Sequence, residues 1–593
     1  MQHTSTFFGV RLLLLLLFAL TSLLAQAQAP TWQTAVTSIK PDDNTRSKAF
    51  SVATDAQGNV YLAGSFDHTI HLGSLVLTSR GFSDVFVAKW SPATGSFVWA
   101  QQAGGATEDE AVAIAVQGTS VYVAGNFQSA TAYFGPTVLM NALPDNFGSD
   151  VFVAKLTDEG TTGHFNWAKS AGGTGSDVAT SLAVRGTSVY VAGSFSSTDA
   201  GFGTTILGAV GVLDGFVAQL TDLGSAANFA WAQQVSGTGF EGVNALAVQD
   251  SHVYVAGYFT SATAHLGSLR LANAGNGSND VFVAKLIDPT IVTRTAGAAG
   301  NPDFVWAQRA GGASSDFVYG LAVQGPSVYI AGSFIGATTT FGNITLPNAS
   351  TTGTSDVFVA KLTDELTAAN FMWAQRAGGV GNDGARDVAI QGAGVYVAGD
   401  FDSPTASFGS TTLSNTDPSY GSYRNLFVAK LHDGVSAGTF TWAQQAGTSA
   451  GDDRVQKMAL HGPTVYVTGY FSGLTACFGN LTLVGRPFAP AAYLASLSDD
   501  GVLTASQPDQ APEIELYPNP AHTLTTVRVP KTLSSRNAGQ VQVLNALGQV
   551  VRTARLSPAL GEAVLDVTVM SPGVYLLQIP TATGRASRRL VVE

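Results

Sequence analysis

The most regular chemistry in this sequence is carried by carboxylates. Ten residues past each member of a recurring set of tryptophans stand Asp42, Asp109, Asp177, Glu241, Asp316, Asp383 and Asp452. Carboxylate oxygens gathered in a ring would suit a hard cation such as calcium, or a basic ligand. Acids in turns also accept backbone N–H bonds from their own turn. Recurrence favours the turn cap, because a structural need returns in every unit whereas a site is confined to one or a few. Calcium held by Asp109, Asp177, Glu241, Asp316, Asp383 and Asp452 is the alternative. Asp42 fits least well, because Trp32 lies 29 residues from the next repeated tyrosine, against 23 in five units and 24 in the last. A second acid recurs as Asp84, Asp150, Asp214, Asp280 and Asp356, replaced by Asn425 and Ala491 in the last two units.

Other reactive residues form no recognisable catalytic set. His68 and His71 make one H-x-x-H with no third ligand indicated, and the single cysteine, Cys477, fills a position held elsewhere by small or polar residues. There is no G-x-S-x-G with ordered partners, no phosphate-binding loop and no dinucleotide fingerprint. An enzyme should break the repeat locally, since acid and base need different environments. The most divergent places are Glu108-Asp109-Glu110, Asp383 to Asp387 with Arg386, Asp452-Asp453-Arg454 and the stretch Ile287–Asp303.

The elements that position these residues follow from three repeated phrases. Val-Tyr-Val-Ala-Gly-x-Phe has its tyrosine at 61, 122, 190, 254, 329, 396 and 466, a mean period of about 67 residues. Val-Phe-Val-Ala-Lys has its aromatic at Phe86, Phe152, Phe216, Phe282, Phe358, Phe427 and Tyr493. Phe-x-Trp-Ala supplies tryptophans at 99, 167, 231, 306, 373 and 442, with Trp32 as a partial N-terminal copy. Between the first two phrases comes a Phe-Gly turn, as at Phe134-Gly135. Each unit therefore predicts four main antiparallel strands, such as Ser181–Val184, Val189–Phe195, the segment around Val217-Ala218, and Phe229–Gln234. Seven such units are the signature of a β-propeller. The seventh unit lacks its own Phe-x-Trp-Ala, and Thr31–Ala35 is expected to supply that strand and close the ring.

The two ends differ from this body. Arg11 precedes an apolar run, Leu12–Leu24, too short for a membrane span of about 20 residues, and Ala25-Gln26-Ala27 gives a cleavage signal. Residues 1–27 read as a signal peptide, leaving a mature chain with no transmembrane span. Residues 28–506 are the propeller, 507–513 a polar linker, and 514–593 a small β-sandwich. The last segment carries Leu516-Tyr517-Pro518-Asn519-Pro520-Ala521, then Val541–Val551 with Gly548, then Ser571–Ile579 with Gly573 and Tyr575. Those motifs, in that order, resemble the type A C-terminal sorting domain of the type IX secretion system. The resemblance implies contact with that machinery through Tyr517, Pro518, Asn519, Pro520, Gly548, Gly573 and Tyr575. It also implies removal of the tail by a sortase-like peptidase, and release or attachment to lipopolysaccharide. Asp55–Gly64 and the Asp-Val-Phe-Val-Ala-Lys phrases resemble the SBBP family of bacterial β-propeller repeats, which implies a fold and no agreed activity.

Composition agrees with this organisation. Of 593 residues only 12% are charged and 45% are hydrophobic, with 66 glycines, which excludes a disordered chain or a coiled coil. The net charge is −12; the tail has eight Lys/Arg and four Asp/Glu, so the body without Arg11 and the tail carries −17. No basic run in the body suits nucleic acid. The sequence thus predicts an all-β protein, a seven-bladed β-propeller closed by an N-terminal strand and followed by a small sandwich. It is expected to be secreted or displayed on the cell surface as a non-enzymatic binding or adhesion module for an unknown protein or glycan. The alternative is a secreted polysaccharide hydrolase or lyase with acids at the channel mouth.

Overall fold

A computed structural model describes residues 30–38, 45–143, 148–275, 277–290, 302–351, 353–415, 423–448, 451–499, 515–528, 540–545, 550–557, 562–581 and 584–592. The chain divides into two compact bodies, Met1–Gly501 and Val502–Glu593. All regular elements among the described residues are β-strands. The proposed signal peptide and linker lie outside the described residues.

In the larger body one sheet pattern recurs seven times. In the third unit Asp177–Arg185, Ser188–Phe195, Asp214–Asp222 and Ala227–Ser236 lie side by side in chain order, each antiparallel to the next. Each strand is longer than its repeated phrase. The second strand is buried at every position, because neighbouring sheets cover both of its faces. Its Gly193 permits a close approach, since a Cβ there would lie 1.9 Å from the carbonyl oxygen of Val178. The apolar cores lie between successive sheets. Tyr61, Val85 and Trp99 of the first unit pack with Ile114, Val121 and Phe127 of the second, and Val52 and Leu62 of the first pack with Tyr466 and Leu494 of the seventh.

Two features depart from the four-strand expectation. Each unit inserts a short hairpin between its second and third strands, for example Thr131–Phe134 with Thr137–Met140. The Phe-Gly phrase is its turn, with Gly135 at a φ of 57°. Each hairpin also touches the outer strand of the preceding unit, as in the bridge between Gly104 and Tyr133. The second departure concerns the N-terminus. Thr31–Thr37 pairs with Ala491–Ser498, in one sheet with Arg454–His461 and Thr464–Phe471. Trp32 faces Leu497 and Thr34 faces Ser496, whereas in the second unit Phe165 faces Leu156 and Trp167 faces Lys155. Trp32 therefore holds the place of the phenylalanine in Phe-x-Trp-Ala, and Thr34 that of the tryptophan. The edge-on contact of Trp32 with Phe478 at 5.1 Å copies that of Phe165 with Phe134 at 5.7 Å.

A polar clasp joins consecutive units. Tyr122, Lys155 and Trp167 donate to one carboxylate of the next sheet, Asp222, at 2.7, 2.6 and 3.0 Å. The first unit does the same through Tyr61, Lys89 and Trp99 to Asp158. The equivalents from seventh unit to first are Tyr466, Ser496 and Thr34, with Pro92 at the acceptor position. There Trp90 packs on Tyr466 at 6.4 Å instead.

The smaller body has a three-stranded sheet of Glu515–Tyr517, Leu524–Arg528 and Glu562–Asp566. A four-stranded sheet is built from Val550–Arg555, Gln540–Leu544, Gly573–Thr581 and Gly584–Val592. Val527, Val541, Val543, Leu565, Leu577 and Leu590 share its core.

Candidate functional site

Five of the carboxylates picked out by spacing, Asp109, Asp177, Glu241, Asp316 and Asp383, are buried at the start of their first strands, where most of their oxygens already accept hydrogen bonds. Asp109 accepts from Gly105 N and Ser129 Oγ, both at 2.7 Å. Asp177 accepts from Gly173 N and Ser197 Oγ, Asp383 from Gly379 N and Ser403 Oγ, Glu241 from Ser261, and Asp316 from Gly312 N. Asp109, Asp177, Asp316 and Asp383 each cap the turn that enters their own sheet, whereas Glu241 is bonded from Ser261 beyond the second strand. Two assignments shift by register. In the seventh unit the cap is Asp453, which accepts from Thr448 N and is fully buried, while Asp452 is part-exposed and pairs with Arg454 at 3.0 Å. In the first unit Ser47 pairs with Phe66 as Asp109 does with Phe127, so Ser47 holds the cap position. Asp42 lies outside the described residues. Among the described residues no group of three or more His, Cys, Asp or Glu is placed to hold a metal ion.

The second set of acids meets the first across each junction between units. A Cβ at Gly104 would lie 2.7 Å from Asp84 Oδ1 and 2.9 Å from Asp109 Oδ2, and one at Gly378 2.7 Å from both Asp356 Oδ1 and Asp383 Oδ2. Asp84, Asp150, Asp280 and Asp356 each keep one buried oxygen without a hydrogen-bond partner among the described residues. Burial, with the facing carboxylate adding to it, pushes Asp109, Asp150 and Asp383 up to about 6 and Asp316 to about 7. Burial pushes Asp453 up to about 8, with Asp452 adding to it.

Variation is concentrated on the innermost strands. A β-bulge in every first strand leaves one residue unpaired: Phe50, Val112, Thr180, Asn244, Tyr319, Arg386 and Gln456. All seven line one axial cavity of about 310 Å³. Beside it the buried carboxylate of Asp400 binds Arg386, Arg424 and Arg454 at 2.9, 2.6 and 2.9 Å. Burial opposes its ionisation, but the three guanidinium charges hold its pKa below the ordinary value. Asp400 fills the variable position of Val-Tyr-Val-Ala-Gly-x-Phe, held elsewhere by Ser65, Asn126, Ser194, Tyr258, Ser333 and Tyr470. That one changing letter in a fixed phrase was the signal for it.

A wide opening lies where the seventh, first and second units meet. It is a groove of about 1040 Å³ whose walls include Arg46, His68, Arg80, Phe82, Arg486 and Phe488. A second hollow of about 490 Å³ shares Arg46, Asp67, Phe82 and Phe488 and reaches Lys48 and Glu110. Those two residues precede Phe50 and Val112 of the axial cavity by two positions. Backbone bonds fix the walls: Ser47 N to Pro490 O at 2.9 Å, Phe488 N to Ser472 O at 2.9 Å, and Ser79 N to His68 O at 2.7 Å. His68 and Phe488 adopt φ values of 52° and 61°, in the left-handed region that non-glycine residues rarely hold. His68, read from the sequence as half of an H-x-x-H with no third ligand indicated, lies on this groove wall. It pairs with Asp67 at 3.4 Å.

In the smaller body, Asn519 Oδ1 accepts from Val591 N at 2.8 Å and Pro518 O accepts from Thr525 Oγ1 at 2.9 Å, tying the Tyr-Pro-Asn-Pro segment to the fold. Tyr575 donates to Ser571 O at 2.8 Å, and Gly573 pairs with Val592. Gly548 lies outside the described residues.

No helix among the described residues is long and apolar enough to cross a membrane. No curated protein matches the chain. Among solved structures, Sqt1 from Chaetomium thermophilum aligns with 74% of this chain and 97% of its own at 9% identity and a TM-score of 0.35. Drosophila semaphorin 2a aligns with 96% of this chain and 97% of its own at 9% identity and a TM-score of 0.24. At those scores neither likeness carries an argument. Residues 515–593 match the family model of the secretion system C-terminal sorting domain. With the motif order and the two-sheet body that holds it, this tail is a type IX sorting domain, and the protein is secreted or attached to the cell surface.

Proposed function

We propose that residues 28–506 are a seven-bladed β-propeller closed by its N-terminal strand and related to SBBP repeats. We further propose that it acts as a non-enzymatic binding module for a protein or glycan. Residues 1–27 direct export as a signal peptide and 507–513 link the body to the tail. After the tail has engaged the type IX machinery, a sortase-like peptidase removes it, and the body is released or anchored to lipopolysaccharide.

The observation that carries the binding reading is the groove at the first and seventh units. It is open to solvent and breaks the repeat, and Phe82 and Phe488 are 77% and 81% exposed on it. Large rings left in water beside a concave surface mark an interaction site. The buried positions of Asp109, Asp177, Glu241, Asp316 and Asp383 favour this reading over a hydrolase or lyase with those acids at the channel mouth. The test is a screen of the full-length protein against arrayed glycans and surface proteins, with a parallel turnover assay on polysaccharides. Saturable binding without turnover is expected. Turnover lost on Asp109→Asn with folding intact would replace this reading with the enzyme.

A further inference from the structure

The loops on the two sides of the groove carry the same Arg-x-Phe pattern. Arg80-Gly81-Phe82 precedes the third strand of the first unit, and Arg486-Pro487-Phe488 precedes that of the seventh. The other described linkers at this place do not repeat it. The triplets are some 400 residues apart in sequence and face one groove because the N-terminal strand sits in the seventh sheet.

The charge around them is unusual for this protein. Most body Lys and Arg side chains are committed to carboxylates, in the clasps, around Asp400, or at Asp280 and Asp356. Arg46 and Arg80 have no ion-pair partner among the described residues. Arg80 lies over the Tyr133 ring at 5.3 Å, and Arg486 adds a further guanidinium to the same wall. Among the described residues Asp67 is the acid on this wall, accepting from Arg46 N and facing His68, while Asp84 accepts from Arg80 N and Glu108 and Glu110 line the adjoining hollow. A positive groove in a body of charge −17 calls for an anionic ligand.

We infer that this groove binds an acidic polysaccharide, with Phe82 and Phe488 stacking on sugar faces and Arg46, Arg80 and Arg486 gripping carboxylate or sulfate groups. The inference rests on the binding-module reading and names its ligand class. Aromatic rings offer a flat apolar platform with an electron-rich face, which suits the C–H face of a pyranose. Guanidinium forks match carboxylate and sulfate in two-point contacts. A nucleic acid carries a charge about every 1.7 Å of its axis, a density that the acidic body repels more strongly than the sparser charge of a uronate chain. An acidic peptide would meet the same arginines but presents no pyranose face to Phe82 and Phe488, so it gains less from the two rings. Secretion or surface attachment places the groove among extracellular polysaccharides.

The test is titration calorimetry of the full-length protein with four probes: an oligouronate, a sulfated oligosaccharide, a neutral oligosaccharide of equal length, and polyglutamate, with single-stranded DNA as a fifth arm. Binding of the oligouronate or the sulfated probe is expected, with the neutral sugar weaker by at least about ten-fold. Phe82→Ala and Phe488→Ala should each weaken it by about ten-fold or more, and Arg80→Gln and Arg486→Gln by about five-fold. Both rings are exposed, so these variants should keep the parental melting temperature, and Arg185→Gln at the end of a strand in the third unit should bind as the parent does. Acidic-sugar binding unchanged in all four variants would overturn the groove assignment. Tighter binding of polyglutamate or DNA would overturn the ligand class. A different ligand from the array that is insensitive to these variants would overturn this inference and leave the binding module standing. No ligand from any source would overturn both.

Discussion

Asp222 shows how much one side chain can hold. It accepts from Lys155, Tyr122 and Trp167 of the preceding unit, and Lys155 is almost entirely buried with it. Removing the carboxylate leaves a buried ammonium unpaired, which costs about 3–5 kcal/mol. Asp222→Ala should therefore lower unfolding free energy by about that amount in urea titration, whereas Asp452→Ala should change it by less than about 0.5 kcal/mol. Equal losses in the two would refute the assigned roles. The contrast also shows where sequence reading stopped. The seventh unit has 24 residues between Trp and Tyr where others have 23, so a fixed count of ten falls one residue short of Asp453. Trp32 misled in a similar way. Its identity suggested the repeated tryptophan, but position in a sheet is set by the residue across the ladder, and Leu497 faces it. The clasp acids were overlooked because they lie just past the end of the Val-Phe-Val-Ala-Lys phrase, although Lys-Leu-Thr-Asp recurs at Lys155–Asp158 and Lys361–Asp364.

The order of main strands was readable because aromatic and β-branched residues repeat with fixed spacing. The small hairpins were not, since four residues such as Thr131–Phe134 give too short an alternation to separate a strand from a loop. The groove was harder still, because it is made by exceptions to the repeat, and no single unit contains it. Two predictions belong to elements. Gly378→Ala must place a methyl group against Asp356 and Asp383 at a φ of 127°. It should destabilise by about 2 kcal/mol or more, and a melting temperature equal to that of the parent would contradict the close packing at this junction. Removing residues 28–38 strips the partner from Ala491–Ser498 and exposes its edge. Size-exclusion chromatography should then show aggregation and the urea transition should broaden; a monodisperse, sharply melting protein would contradict the importance of this pairing.

Across the molecule, two families of carboxylates pull stability in opposite directions with pH. Asp109, Asp150, Asp316, Asp383 and Asp453 have pKa values raised from 3.8 to between about 6 and about 8. The folded chain holds protons there that the unfolded chain has released, so their contribution is full below the ordinary value and is lost as pH rises through 6 to 8. For Asp158, Asp222, Asp364 and Asp433, burial opposes ionisation, but the lysine, tyrosine and tryptophan donors prevail and hold the pKa values below 3.8. Their contribution is present above that value and is lost as pH falls through the lowered range. The melting temperature should therefore peak near about pH 4 and fall toward both pH 8 and pH 3. A scanning calorimetry series at constant ionic strength checks this, and a melting temperature that rises from pH 5 to pH 8 would reject it. The tail acts on another property of the whole chain: deleting 515–593 should leave the protein inside the outer membrane, as fractionation and immunoblotting would show.

The pairing of the first strand with the last unit also sets an order of events. Thr37 reaches Ala492 across 455 residues, so the earliest strand of the body to be synthesised has no sheet to join until nearly all the rest exists. Contacts so distant in sequence form late and slowly. A chain cut short or stalled before Ala491 keeps its first described strand unpaired, and only a body that includes Ala491–Ser498 acquires the junction on which the groove depends.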